Sequence, residues 1–447
     1  MSARINLDII FFENARINEL VKNQLQIICT RVLENIPKDI CSLILCGAMS
    51  RGEGSAIISE NRVKIISDYD FLVVVKNGDL TALQEKLRQL SIDLTKELKL
   101  GFLSSVEVHP ITKAYLKSLI PTIGNFDLKS SGMILYGEDV LNLIPNFSPK
   151  EIPKWDALKI LFNRICGQLL STPPDIFYND KIPDNILEMN AYQTTKMFLD
   201  VCTSLLAFHG RFIPSYVGRV NELERLLDIS PSLKEIIPSS TLFQKWLEFK
   251  KYPCLNTLSR ISTDSGKTPR EQCLKAWLDA TELIFSVLSY EISSLLRRKI
   301  TGLSFEINNI IRLTNTIFQN EKLVFHSYKR ELLSYINTHK SFCLKHPIKT
   351  VNMLISQIFP RSLMYLALLL VYFSTKFIVR GDIRGKYLLD YSRKYLLLLP
   401  HMKFPFFENA LSSWNTLRIE GLKLRSELFD ESFFENSENC SNFLRPS

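Results

Sequence analysis

Two aspartates one residue apart, Asp68 and Asp70, stand at the head of the run DFLVVV (70–75). Alternate side chains of a strand point the same way, so these two share one face while Tyr69 and Phe71 take the other. Carboxylates held about 6 to 7 Å apart along a backbone repel unless a cation lies between them. Hard oxygen ligands of this kind suit Mg²⁺ bound together with substrate phosphates. A third acid is at hand in SSVEVHP (104–110), where Glu107 projects opposite to Val106 and Val108. If the two strands are neighbours, Asp68, Asp70 and Glu107 could hold two metal ions about 4 Å apart, polarising an attacking oxygen and stabilising a leaving pyrophosphate. His109 shares the strand face of Glu107; it is either an aid to proton transfer or a polar strand end.

The complementary part lies upstream, in CGAMSRGEGS (46–55). Gly47, Gly52 and Gly54 permit left-handed turns and close backbone approach, Ser50 offers a hydroxyl, and exposed N–H groups there could cradle a triphosphate. A plain turn is the other reading of three glycines after a strand. Cys46 has no basic neighbour in sequence, which favours packing over nucleophilic chemistry.

These residues need elements to position them. Ile17, Leu20, Val21, Leu25, Ile28 and Val32 recur at three- and four-residue steps, which predicts a helix over 12–36. Strands follow at 42–48 and 70–75, the second ending in the turn KNGD, and a helix over 79–98 separates them from a third strand at 104–110 that Pro110 closes. That intervening helix leaves room for a parallel pair. Between 125 and 147 the pattern is a helix, a Gly-containing turn and the short strand MILY. After Pro153 only helical periodicity remains, with Leu158, Leu161, Phe162, Ile165 and Leu169 on one face and Ala191, Phe198, Cys202 and Leu205 on another. The Ser/Thr-rich stretch 256–272 reads as a linker and the tail DESFFENSENCSNFLRPS as loose.

Composition sets outer bounds. At 447 residues, with 46% hydrophobic and 23% charged residues, the chain fits a soluble protein of two or three domains. A formal charge of +9 without a dense Lys/Arg block argues against a polybasic nucleic-acid arm. Nine cysteines without a CxxC pair argue for reduced packing residues and against a zinc site or a disulfide framework. The charged N-terminal stretch does not read as a secretory signal, so the expected location is cytoplasmic. The run 362–379 approaches membrane-spanning length but contains Ser374, Thr375 and Lys376; the expectation is a buried helix with no stable membrane span.

GAMSRGEGS, then SDYDFLVVV, then VEV resembles the polymerase-beta-type nucleotidyltransferase superfamily over residues 40–145. The resemblance implies an α+β fold: a mixed-sheet nucleotidyltransferase domain over 1–150 and a helical domain over 151–255 closing the nucleotide cleft as in aminoglycoside-type and related small enzymes. The helical patterns that continue to the end read as a C-terminal α-helical domain over 270–447, to which the sequence assigns no role. The resemblance implies that Asp68 and Asp70 bind Mg²⁺, two ions by the family's pattern, and that Glu107 ligates metal and helps to deprotonate the acceptor. It implies a nucleotide grip, for ATP or another NTP, from Gly47, Ser50, Arg51 and Gly52. For Lys196 two readings stand open: contact with the triphosphate, as a lysine makes in several relatives, or a pair with Asp200 one turn on. Arg164 and Arg219 divide in the same way between phosphate contact and surface charge. The chain departs from the family where Ala48 follows Gly47 in place of the usual serine, and where SAIISENRVKII lengthens the loop before the aspartates. The implied reaction moves a nucleoside monophosphate from an NTP to a small-molecule, protein or nucleotide acceptor and releases pyrophosphate. Synthesis of a nucleotide second messenger or an RNA tail is the alternative within the same chemistry, and a non-catalytic, antitoxin-like binding module the alternative outside it. The C-terminal helices offer a surface for oligomers.

Overall fold

The computed structural model describes residues 5–429 apart from 8, 37–39, 60–61, 77–79, 101–103, 238, 262–266, 298–303, 326–334, 337–338, 346, 349, 352–359, 400–401 and 403–408. Most of the turn KNGD, the middle of the 256–272 stretch and the tail after 429 lie outside the described residues. The fold is α+β, a mixed sheet followed by a large helical region. Its contacts group the chain into two compact units: Met1–Pro153 with His209–Pro231 and Ser239–Thr257, and Lys154–Phe208 with Ser232–Pro238 and Leu258–Ser447. The helices Tyr216–Ile229 and Thr241–Lys251 thus group with the sheet, while Ser232–Pro238 and the helix Lys154–Leu170 group with the helical unit, so the sheet unit takes up part of the 151–255 span.

The first unit opens with α1 (Ala15–Asn35), β1 (Ile40–Cys46) and the single turn α2 (Gly47–Ser50). A hairpin of β2 (Ala56–Ser59) and β3 (Arg62–Ile65) follows, then β4 (Tyr69–Val75), α3 (Leu80–Glu97), β5 (Val106–Thr112), α4 (Lys113–Lys117), α5 (Ile123–Ser131) and β6 (Met133–Gly137). The main sheet runs β5-β4-β1-β6. β1 pairs antiparallel with β4 and β6, and β4 pairs parallel with β5 across the α3 crossover.

Central β4 is buried on both faces, as its apolar run requires. Tyr69, Phe71, Val73 and Val75 pack with α1 and α3. Val74 faces the opposite core, with Ile44, Ile111, Leu116 and Leu128. Pro110 does not close the third strand: β5 continues to Thr112. It lies at the sheet's edge, where a residue without an N–H costs no ladder bond on the open side. The stretch SAIISENRVKII, read as loop, carries β2 and β3. Its two β-branched runs flank only Glu60 and Asn61, a hairpin spacing.

Downstream come α6 (Lys154–Leu170), α7 (Asp184–Phe208), α8 (Tyr216–Ile229), α9 (Pro231–Ile236), α10 (Thr241–Lys251), α11 (Leu255–Ile261) and α12 (Pro269–Leu296). Among its described residues the second unit holds helices and no strand, and it adds, among others, Ile307–Gln319, Pro360–Val379, Gly385–Leu396 and Ala410–Phe429. By length and composition alone, Pro360–Val379 is the one described helix apolar enough to cross a membrane, and 83% of that window is buried in the structure. Its Lys376 meets Glu282 and the ring of Phe305. The eight described cysteines form no disulfide.

Candidate active site

The parallel register places Asp70 directly opposite Glu107, and the antiparallel register places Cys46 opposite Asp70. Asp70 therefore sits between the strand that leads into the glycine loop and the strand that carries the third acid. Glu107 is exposed while its neighbours Val106 and Val108 are buried, so it lies on the face that the alternation predicts.

Asp68 stands one residue before β4 and is tied to Ser105, the residue before β5. Its Oδ1 accepts from the backbone N–H of Ser105 at 3.0 Å and lies 3.3 Å from the Ser105 hydroxyl. That hydroxyl is also 3.3 Å from Glu107 Oε1, and its single proton serves one carboxylate at a time. The Ser105 backbone N–H thus holds Asp68 while its hydroxyl can donate to Glu107. The sequence reading missed Ser105, although its position two residues before Glu107, on the same strand face, was the available signal.

His109 Nε2 lies 3.8 Å from Glu107 Oε2, both side chains being 53% exposed. Hydrogen bonding to His109 is the main cause holding the Glu107 carboxyl below its usual range; the His109 charge and Ser105 act the same way, against desolvation. The Cys46 thiol is pushed well up, first by burial and then by the Asp70 charge, which fits a packing role.

Gly47 has φ +72°, and a Cβ there would lie 2.5 Å from Asp70 Oδ2. Only glycine lets the backbone bend left-handed this close to the carboxylate. No side chain caps the turn that follows, and the Ser50 hydroxyl donates to the Gly47 carbonyl at 2.9 Å, taking up its proton within the loop. Gly52 is left-handed too, at φ +66°.

Arg51 does not project from the loop. Its side chain is 7% exposed, with Nε donating to Glu53 Oε2 at 2.9 Å and Nη1 to Asp127 Oδ2 at 3.0 Å. Arg219, expected to contact phosphate or lie on a helix surface, is buried: it meets both Asp127 oxygens at 3.2 Å and the carbonyls of Ile213 and Pro214. No short-range pattern announces Asp127, which stands 76 residues from Arg51.

Lys196 belongs to the helical unit, 4.7 Å over the ring of Tyr192. Asp200, its expected i+4 partner, accepts from Arg164 Nε at 2.6 Å.

The donor set of Asp68, Asp70 and Glu107 is all carboxylate oxygen, the chemistry that a hard divalent cation takes. Among the described residues, however, no three His, Cys, Asp or Glu side chains are gathered as a ready-formed metal site. The acids share strands and a face, but Asp68 and Glu107 are engaged with Ser105 and His109. A cation would have to draw those side chains from their present partners.

No family model and no curated protein matches the chain. Among solved structures, the crystal structure of spectinomycin adenyltransferase AAD(9) from Enterococcus faecialis with ATP and spectinomycin superimposes at a TM-score of 0.32 and 14% identity, over 58% of this chain and 98% of that one. A TM-score that low bears on neither fold nor chemistry.

Proposed function

We propose that the sheet unit is a nucleotidyltransferase that moves a nucleoside monophosphate from an NTP to an acceptor hydroxyl, phosphate or similar group, with pyrophosphate leaving. One observation carries this reading: Asp70 faces Glu107 across a parallel pair while the Gly47 backbone rests against its carboxylate. Without a cation, acids beside a loop suited to phosphate would repel an anionic donor. Mg²⁺ held by Asp68, Asp70 and Glu107 would supply the charge that neutralises the triphosphate and the departing pyrophosphate.

The chain's own groups divide the remaining work. The uncapped N-terminal amides of the turn at Gly47 bind phosphate oxygens beside Asp70. Asp68, fixed through Ser105, keeps its orientation relative to β5. Glu107 is ionised through the neutral range and half-exposed, so it can accept the proton of an acceptor hydroxyl while that oxygen bonds to the α-phosphorus and the bond to the β-phosphate oxygen breaks.

Calorimetry with Mg²⁺ and each NTP, followed by incubation with α-labelled NTP and small-molecule, protein or RNA extracts, tests the proposal. Metal-dependent triphosphate binding and a labelled product support it. Absence of both points to a binding module instead.

A further inference from the structure

We propose that α8, α10 and Asp127 latch the glycine loop, and that Lys250 and Asp127 are positioning residues for triphosphate binding; the second half rests on the function proposed above. Residues 47–55 contain three glycines, two of them left-handed, so the loop has more conformational freedom to lose than an ordinary turn. Side chains from distant parts of the same unit hold it. Glu53 is gripped at three atoms: Oε2 by Arg51 Nε at 2.9 Å, Oε1 by the backbone N–H of Tyr216 at 2.6 Å, and the carbonyl by Lys250 Nζ at 2.5 Å. Lys250 also reaches the Ser55 hydroxyl at 3.2 Å.

The grip passes on toward the acids. The N–H of Ser55 donates to Ser67 Oγ at 2.8 Å, and the N–H of Ile66 to the Ser55 carbonyl at 3.0 Å, so the loop's exit is bolted to the segment that ends in Asp68. At the other end Arg51 and Arg219 converge on Asp127 of α5. Tyr216 lies among the cations, its ring centroid 5.4 Å from the Arg51 guanidinium, 4.8 Å from that of Arg219 and 4.9 Å from Lys250 Nζ.

Burial makes this more than incidental packing. The side chain of Arg219 is 4% exposed and Lys250 as a residue 3%. Buried charges persist only where partners compensate them, so loss of one member leaves the others uncompensated. Here three cations, Arg51, Arg219 and Lys250, meet two acids, Glu53 and Asp127, and burial raises the pKa of Asp127 against the pull of Arg219 and Arg51.

Hydrogen exchange on the full chain tests the latch without any ligand. In Lys250→Met and in Asp127→Asn, the amides of residues 47–55 should exchange at least about tenfold faster while those of α1 keep their rates, since removing a buried charged partner costs a factor of this size or more. Affinity for a fluorescent ATP analogue with Mg²⁺ should fall by about the same factor, and Lys250→Arg should restore part of both. Unchanged loop exchange, or an equal rise throughout α1, overturns the latch. A loosened loop with unchanged nucleotide affinity overturns the positioning role. If the parent protein binds no NTP, the proposed function fails and loop exchange alone decides the latch.

Discussion

Glu107 at the rim of the sheet unit and Glu291 inside the helical unit are shifted in opposite directions, although burial raises the pKa of the sheet unit's Asp127 as it does that of Glu291. In the sheet unit, buried cations meet carboxylates across the fold, and Glu107 at its rim is held ionised. In the helical unit Glu291 is wholly buried beside the Ser204 hydroxyl, 2.9 and 3.1 Å from its two oxygens, and burial pushes its pKa up to about 8. Ser204 also lies 2.9 Å from the Ala157 carbonyl. Its one proton can go there while a protonated Glu291 donates back to the hydroxyl oxygen. A carboxyl kept neutral joins helices; carboxylates kept charged on one sheet face are equipped for cations and phosphates.

The sharpest break of this contrast is Asp70→Asn. It should lower nucleotidyl transfer by about 10³-fold or more, as expected when a charge-neutralising ligand is removed, while the protein stays folded by circular dichroism. Transfer at the parental rate in folded D70N would dismiss the assignment of Asp70.

Gly47→Ala comes next. The left-handed φ and the contact with Asp70 put its cost at about 1 to 3 kcal/mol of local strain, and a drop in Mg²⁺-dependent NTP affinity by calorimetry should exceed any drop in melting temperature.

Glu291 sharpens the comparison through pH. Its folded pKa lies above the unfolded value, so the folded state holds the extra proton; the associated stability is fully present below the unfolded pKa and is lost as pH rises toward about 8. Urea unfolding midpoints should fall from pH 5 to 8, with a slope of up to about 1.4 kcal/mol per pH unit from this group. Glu291→Gln should flatten that dependence, and a slope unaltered in the variant would contradict a neutral Glu291.

The smallest effect is expected at Lys251, whose 2.9 Å pair with Glu13 is exposed. Lys251→Ala should leave both the urea unfolding midpoint and the hydrogen exchange of residues 47–55 unaltered, in contrast to its buried neighbour Lys250, because solvent screens an exposed pair.

Periodicity alone made much of the architecture legible. The positions of α1, β1, β4, α3 and the helix-turn-strand of α5 and β6 follow from where apolar residues recur, because burial of one face dictates that spacing. It misplaced the end of β5, since a proline stops a strand only where its N–H would be needed, and edge or centre is a property of the sheet. The hairpin β2-β3 was lost to a loop reading because four-residue strands barely show alternation.

For the candidate site, local chemistry determined which residue types stand on which strand faces: the Asp-x-Asp pair, a lone acid between valines, and glycines at a strand end. Whether those faces coincide was settled by the parallel register that sets Asp70 against Glu107. The destination of Arg51 was likewise beyond local pattern, because its partner Asp127 and its companions Tyr216 and Arg219 come from segments far along the chain. A side chain's neighbours in sequence bound the directions it can take; which charge it meets depends on chain segments brought together only when the core closes.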